Sequence, residues 1–362
     1  MAENVKMDFI ICYNSILYKD ECIAYIDALN VPENVEIGVI TVEQAESLAA
    51  GYNQAMRASD AKYKVYMHQD VFILNSNFIS DVIELFVQNP EYGMFGVVGT
   101  DRKILNGCYW NEWDCGWSYV STPLHVANKL FRAVDKVTPV EAIDGMIMIT
   151  QFDLPWREDV FDGFHLYDIS QSEEMKRAGY RIGVVPQESP WCLHDCGCNS
   201  FGDYDLYRER FCECYFQEGY RYEKLPEQEK YREMGIIAQK FLGAMIQYFN
   251  DENWDQVAGL FQQYEMLLSY NTDLQYLLGV YGILARESQG GEKKIYQKGK
   301  TFQNYKEEYM RDLFAERRGL KDKVLEGGHG EQPGRRVSES IGRCGAVCGR
   351  FDARYGEGTG HG

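Results

Sequence analysis

Tyr63-Lys64-Val65-Tyr66-Met67-His68-Gln69-Asp70-Val71-Phe72-Ile73 is an apolar run interrupted by an imidazole, an amide and a carboxylate. Its first five residues read as a buried strand, too short for a helix and rich in β-formers. A carboxylate just past the carboxyl end of such a strand faces the crevice where α/β folds bind ligands. There Asp70 can ligate a hard cation, or it can simply cap the following turn. Upstream, Asp8–Cys12 (DFIIC) and Val35–Ile40 (VEIGVI) read as strands, separated by a helical pattern over Lys19–Leu29 that Pro32 stops. Helices are expected at Glu43–Arg57 and Asn77–Gln88, and a further strand at Tyr92–Val98. This β-α-β-α-β-α-β succession predicts an α/β fold, with a mainly parallel sheet covered by helices.

Thr100–Val134 follows no period, and Trp110, Trp113 and Trp117 crowd there among Gly, Asn and Asp. Long irregular stretches inside a compact domain are usually functional or mobile, and these rings suit either stacking on a ligand or a place in the core. Val140–Thr150 then reads as a strand, Tyr167–Ala178 as a helix and Arg181–Pro186 as a strand. After about Tyr222 the pattern turns helical over Pro226–Phe249, Asn253–Leu268, Thr272–Arg286 and Gln297–Val324. In the second of these, Val257, Leu260, Phe261, Tyr264 and Leu267/Leu268 share one face. The expected organisation is an α/β domain over 7–220, a helical domain over 225–325 able to take a protein partner, and a glycine-rich, disordered tail over 326–362.

The 362 residues carry 37 basic against 55 acidic side chains, a net charge of −18. That balance excludes a general nucleic-acid binder and a polybasic membrane anchor. An acidic chain that handles a phosphorylated ligand needs a divalent metal or a local cation cluster to offset repulsion. No stretch reaches the roughly 18 apolar residues of a membrane span. The start, MAENVKMDFIICYN, lacks a secretory pattern, so a cytoplasmic protein is expected. Its 11 cysteines are odd in number and scattered, which favours reduced thiols. No Walker loop, H-E-x-x-H, G-x-S-x-G or dinucleotide fingerprint stands in its required context.

FIICYN (9–14), SLAAGYNQAM (47–56) and YKVYMHQDVFI (63–73) resemble the glycosyltransferase-like family 2 domains, in the branch that includes the streptomycin-biosynthesis StrF-like domain. The resemblance continues through IDGMIMI (143–149), FDLPWREDVFDGF (152–164) and HLYDISQSEEMKRAGYRI (165–182). It implies the Rossmann-like GT-A fold of nucleotide-diphospho-sugar transferases. The implied reaction is inverting transfer of the sugar to an acceptor hydroxyl, assisted by a divalent cation, Mn²⁺ or Mg²⁺. Asn53 and Asp70 occupy the places of the family's helix asparagine and metal motif, while His68 stands where that motif's first Asp would be. Asp168 falls on the second acid of a later pair, and Tyr167 replaces the first. Asp168 is the expected catalytic base; the alternative is that Asp168 or Ser170 caps the helix.

His194, after the last sheet strand, matches the place of a late metal ligand, so Asp70, His68 and His194 form the implied metal set. Donor contacts are expected from Tyr13 and Asn14 at the end of strand one, Thr41 and Glu43 after strand two, and Asn53, His68, Gln69 and Asp70. Asp144, Gly145 and Trp191 are expected on the acceptor side.

Two other readings stay open. Cys192, His194, Cys196 and Cys198, with Cys212 and Cys214 nearby, supply enough soft ligands for a structural zinc in an interaction protein, although the spacing is tighter than in closed zinc sites. His68 and Tyr167, each replacing an acid, also suit a non-catalytic sugar- or nucleotide-binding module on a degenerate GT-A scaffold.

Overall fold

The structure, a computed structural model, describes residues 5–110, 112–124, 126–198, 201–216, 226–289 and 300–326. The chain divides into two compact units: 1–121 with 127–232 and 317–330, and 122–126 with 233–316 and 331–362.

The first unit contains β1 (Val5–Tyr13), α1 (Ile16–Ile26), β2 (Val35–Glu43), α2 (Leu48–Ala58), β3 (Tyr63–His68), β4 (Val71–Ile73), α3 (Phe78–Gln88), β5 (Tyr92–Gly96), β6 (Val98–Thr100) and β7 (Cys115–Ser121). β8 (Val126–Leu130), β9 (Thr138–Pro139), β10 (Ala142–Ile143), β11 (Ile147–Thr150), α4 (Tyr167–Arg177), β12 (Arg181–Val184), β13 (Cys192–His194) and α5 (Tyr204–Tyr215) follow. One sheet runs β2-β1-β3-β11-β5-β12-β9. β1 pairs in parallel with β2 and β3, and β5 with β12, whereas β11 and β9 run antiparallel to their neighbours. A second sheet, β10-β6-β7-β13-β4 with β8 beside β7, lies along a different path. The architecture is the expected Rossmann-like α/β arrangement followed by a helical region, but the sheets are mixed rather than mainly parallel, because β11, β9 and most of the second sheet pair antiparallel.

Why these elements form is local. Phe9, Ile10 and Ile11 of β1 and Val65 and Met67 of β3 are fully buried, as continuous apolar runs require when both faces of a strand are covered. Ser47 caps α2 by accepting from the Ala50 N–H at 3.1 Å. That helix starts later than its apolar pattern suggests. β2 continues through Glu43, and Gln44 turns the chain with φ at 46°.

Two expected strands are broken by crossings between sheets. Val140–Thr150 is not one strand: it splits at Asp144–Gly145 into β10, in the second sheet, and β11, in the first. Tyr92–Val98 splits likewise into β5 and β6. At that crossing a Cβ on Gly96 would stand 2.1 Å from Ile143. Thr100–Val134, expected to be irregular, contains β7 and β8. Both crossings serve the site, because they leave Asp144 and Gly145 beside the end of β3.

The second unit is helical. It draws on α6 (Pro226–Asn250), α7 (Trp254–Gln263), a 3₁₀ turn (Glu265–Tyr270), α8 (Thr272–Gln289) and α9 (Phe302–Glu326). Met245, Phe249, Val257, Leu274, Leu277 and Leu313 are among its buried residues. On the expected face of α7, Val257, Phe261, Leu267 and Leu268 are buried, while Tyr264 is exposed. The glycine-rich tail beyond Glu326, Cys344 and Cys348 included, lies outside the described residues. No helix among the described residues is long and apolar enough to cross a membrane.

Candidate active site

Strand pairing brings two distant ligands together. β13 runs antiparallel to β4 with His194 opposite Val71, and the Asp195 N–H donates to the Asp70 carbonyl at 2.8 Å. His194 Nε2 consequently lies 3.6 Å from Asp70 Oδ1, and His68 Nδ1 lies 4.0 Å from the same oxygen. Ligand atoms of all three residues fall within 4.8 Å of one another. Among the described residues this is the one such group of His, Cys, Asp or Glu.

Its electrostatics suit a cation. Burial works against ionisation of Asp70, but the charge and hydrogen bond of His194, with His68, outweigh it and hold the carboxyl below its usual range. Burial alone would lower His194; Asp70 more than offsets this and raises it. At His68 burial prevails over Asp70, so that ring favours its neutral, ligating form. Two imidazoles and one ionised carboxylate fit a divalent first-row ion, with softer donors than an all-oxygen set.

The second half of the site is built on the turn between β10 and β11. The His68 N–H donates to the Met146 carbonyl at 3.1 Å, which holds that turn beside the end of β3. The Gly145 N–H donates to Asp168 Oδ2 at 2.9 Å, and the Tyr167 hydroxyl contacts both His68 Nε2 and the Gly145 carbonyl. Leu166 starts α4 in the left-handed region, φ 62°, with no side-chain cap. Its buried side chain anchors this strained entry. Burial, and then the neighbouring charge of Asp144, push the Asp168 carboxyl up to about 7, against the pull of backbone N–H groups.

Asp168 and Asp144 open onto a cleft of about 320 Å³ together with His68, His194 and Gly145. Its far wall is aromatic, with Tyr109, Trp110, Trp113, Phe131, Phe164 and Tyr204. Gly145 has no room for a side chain. An added Cβ would stand 2.3 Å from the Tyr167 hydroxyl oxygen and 3.0 Å from the Asp168 Cβ. Gly145→Ala is expected to displace Tyr167 and the first turn of α4 and to lower kcat by about 10²-fold, the scale of a 1 Å misplacement. Steady-state kinetics on protein with an unchanged circular-dichroism spectrum checks this.

The other residues singled out from sequence fall elsewhere. Tyr13 and Glu43 are register partners at the ends of β1 and β2, with Asn14 and Thr41 exposed beside them. Gln69 ties this edge to the metal-ligand turn: its Oε1 accepts from the Asn14 and Ser15 N–H groups at 3.0 and 2.9 Å. Asn53 is buried and clamps Trp156, donating to its carbonyl and accepting from its N–H, both at 2.9 Å. Both ends of its side-chain amide are thus engaged within the fold. Trp191 is buried edge-on against Phe78 and lines a separate cavity with Pro186 and Gln187.

The zinc ladder does not gather among the described residues. β13 ends at His194, Cys192 Sγ packs on Met146 Sδ at 4.0 Å, and Cys196 lines the cleft. Phe131, Phe164 and Tyr204 cannot be told as site residues from sequence, because aromatic side chains at such positions look no different from core.

The sequence profile of a family described as glycosyltransferase like matches residues 8–215. No curated protein matches the chain. Among solved structures it is similar to the mannosyltransferase PcManGT from Pyrobaculum calidifontis in complex with GDP-Man and Mn²⁺, at 14% identity over 89% of each chain and a TM-score of 0.39. It is also similar to TarS 1–349 from S. aureus in complex with UDP-GlcNAc, at 12% identity over 85% of this chain and 92% of that one, with a TM-score of 0.38. The profile spans both halves of the site just described, from β1 to the end of α5, and on that match the chain belongs to the glycosyltransferase-like family.

Proposed function

We propose that this glycosyltransferase moves a sugar from a nucleoside-diphosphate sugar to an acceptor hydroxyl, with inversion at C1, and that residues 7–220 carry the chemistry. The observation that supports this most is a carboxyl pushed up to about 7, Asp168, on the same cleft as two members of a His-Asp-His ligand group. A base with that value is half-ionised at neutral pH, where proton abstraction is most effective.

Asp168 takes the acceptor proton as the acceptor oxygen bonds to C1, and the C1–oxygen bond to the diphosphate breaks on the opposite face. His68, Asp70 and His194 would hold a divalent ion, Mn²⁺ or Mg²⁺, which supplies positive charge at the diphosphate. The Tyr13, Asn14, Thr41 and Glu43 edge, tied to the ligand turn by Gln69, binds the nucleotide. Asp144 and Gly145, with the aromatic wall, bind the acceptor. A place in the StrF-like branch and a cytoplasmic setting belong to the same reading. The latter fits the described cysteines, none of which forms a disulfide.

Thermal-shift binding of UDP, GDP, dTDP and CDP, each with Mn²⁺, with Mg²⁺ and with neither, tests it. One nucleotide is expected to raise Tm only with metal, by the equivalent of about 2.7 kcal/mol at a hundredfold excess over Kd. Mn²⁺ is expected to serve better than Mg²⁺, because imidazole suits it better. Indifference to all four nucleotides overturns the reading.

A further inference from the structure

Behind the ligand group lies a buried ionic cluster that the proposed chemistry does not use. At its centre is Arg317, in the part of α9 that packs within the first unit and 3% exposed. Its Nη1 lies 2.8 Å from Asp195 Oδ2 and its Nε 3.3 Å from Glu21 Oε1. The Tyr18 hydroxyl donates to the same Asp195 oxygen at 2.8 Å, and the Tyr25 hydroxyl to the Arg317 carbonyl at 3.0 Å. The guanidinium also stands over the Phe72 ring, 5.1 Å from its centroid.

The groups on this arginine lead back to the ligands. Asp195 directly follows His194, and its N–H is bonded to the Asp70 carbonyl. Phe72 lies two residues beyond Asp70, on the strand that pairs with β13. Burial pushes Glu21 up to about 8 despite the opposing pull of Arg317. Of the two carboxylate partners of Arg317, Asp195 makes the closer contact, 2.8 Å against 3.3 Å. A buried guanidinium is costly to desolvate and persists only where its partners are well placed. Here the partner is the residue that sets the turn after His194.

We propose that Arg317 is a positioning residue for the metal-ligand group: by holding Asp195 it fixes the turn that keeps His194 beside Asp70. This rests on the reading of His68, Asp70 and His194 as metal ligands. It makes cation affinity depend on a residue of the last helix, more than a hundred positions from the nearest ligand. Groups that orient ligands from behind typically change affinity by about 10–100-fold when removed.

The test is Mn²⁺ titration of the full chain, followed by the electron paramagnetic resonance signal of free Mn²⁺. It compares wild type, Arg317→Lys and the double variant Arg317→Gln/Asp195→Asn. The double variant removes both charges together and leaves no unpaired buried ion, so the fold survives; circular dichroism and Tm confirm it. Its Kd for Mn²⁺ is expected to rise about 10–100-fold, while Arg317→Lys, which keeps the charge, recovers most of the affinity. A folded double variant that binds Mn²⁺ as wild type does would overturn the proposal and leave the cluster a purely structural one. Failure of the wild-type chain to bind Mn²⁺ would instead sink the metal reading, and this proposal with it; the wild-type curve alone tells the two failures apart.

Discussion

Asp168→Asn is expected to lower kcat by about 10²–10⁴-fold, the usual contribution of a positioned general base, with nucleotide affinity little changed. Asparagine keeps an oxygen for the Gly145 N–H, which now bonds to Asp168 Oδ2, so the turn between β10 and β11 should hold. The wild-type rate should rise as pH climbs through about 7, where burial and the charge of Asp144 have moved this carboxyl. The residual rate of the variant should lack that limb.

Stability gives a second check. The folded value lies above the unfolded one, so the folded chain holds this proton more tightly. The resulting stabilisation is full below the ordinary carboxylate range and is lost as pH rises through about 7. Tm of wild type should decline across that window more than Tm of the variant. A pH-independent difference in rate between the two proteins, or none at all, would remove Asp168 from the role of base.

Asp70→Ala should abolish metal-dependent nucleotide binding. Removing even an outer-shell partner typically costs about 10–100-fold in metal affinity, and loss of the carboxylate shared by both imidazoles should exceed that. A separate readout needs no metal at all. Burial alone would lower the His194 pKa, and the charge and hydrogen bond of Asp70 more than offset it. In Asp70→Ala the imidazole should therefore titrate at lower pH, visible in its ring-proton NMR shifts. Unchanged metal affinity with a shifted His194 would mean that the ion sits elsewhere.

What could be read from the residues divides along physical lines. β1, β3 and the helices α2 and α3 are legible because each is an apolar run or a clear helical face. The second sheet is not. β4, β6 and β13 have three residues each and β10 two, too few for any period to show. The two crossings hide for the opposite reason, since Tyr92–Val98 and Val140–Thr150 look continuous.

In the site, Asp70 and Asp168 stand out beside recognisable strand and helix ends. His194 has only its position to recommend it, because the β4–β13 register that sets it against Asp70 is a long-range pairing. Nothing local in the sequence shows that Trp191 packs on Phe78, because a buried ring and a ligand-stacking ring read alike. Arg317 is invisible from sequence, one basic residue in a polar helix until its two carboxylates surround it.

The late segment of the first unit bears on how this chain is made. The hydrogen bond from Tyr25 to the Arg317 carbonyl joins positions 292 apart, and the same stretch covers Glu21 and Asp195. On a ribosome, both sheets of that unit emerge well before the helix that closes over them. Until it arrives, two carboxylates and the apolar ring of Phe72 stay wet, and the nascent unit presents an open flank to chaperones and to other unfinished chains. Completion of the unit is thus timed by the last described helix to leave the exit tunnel.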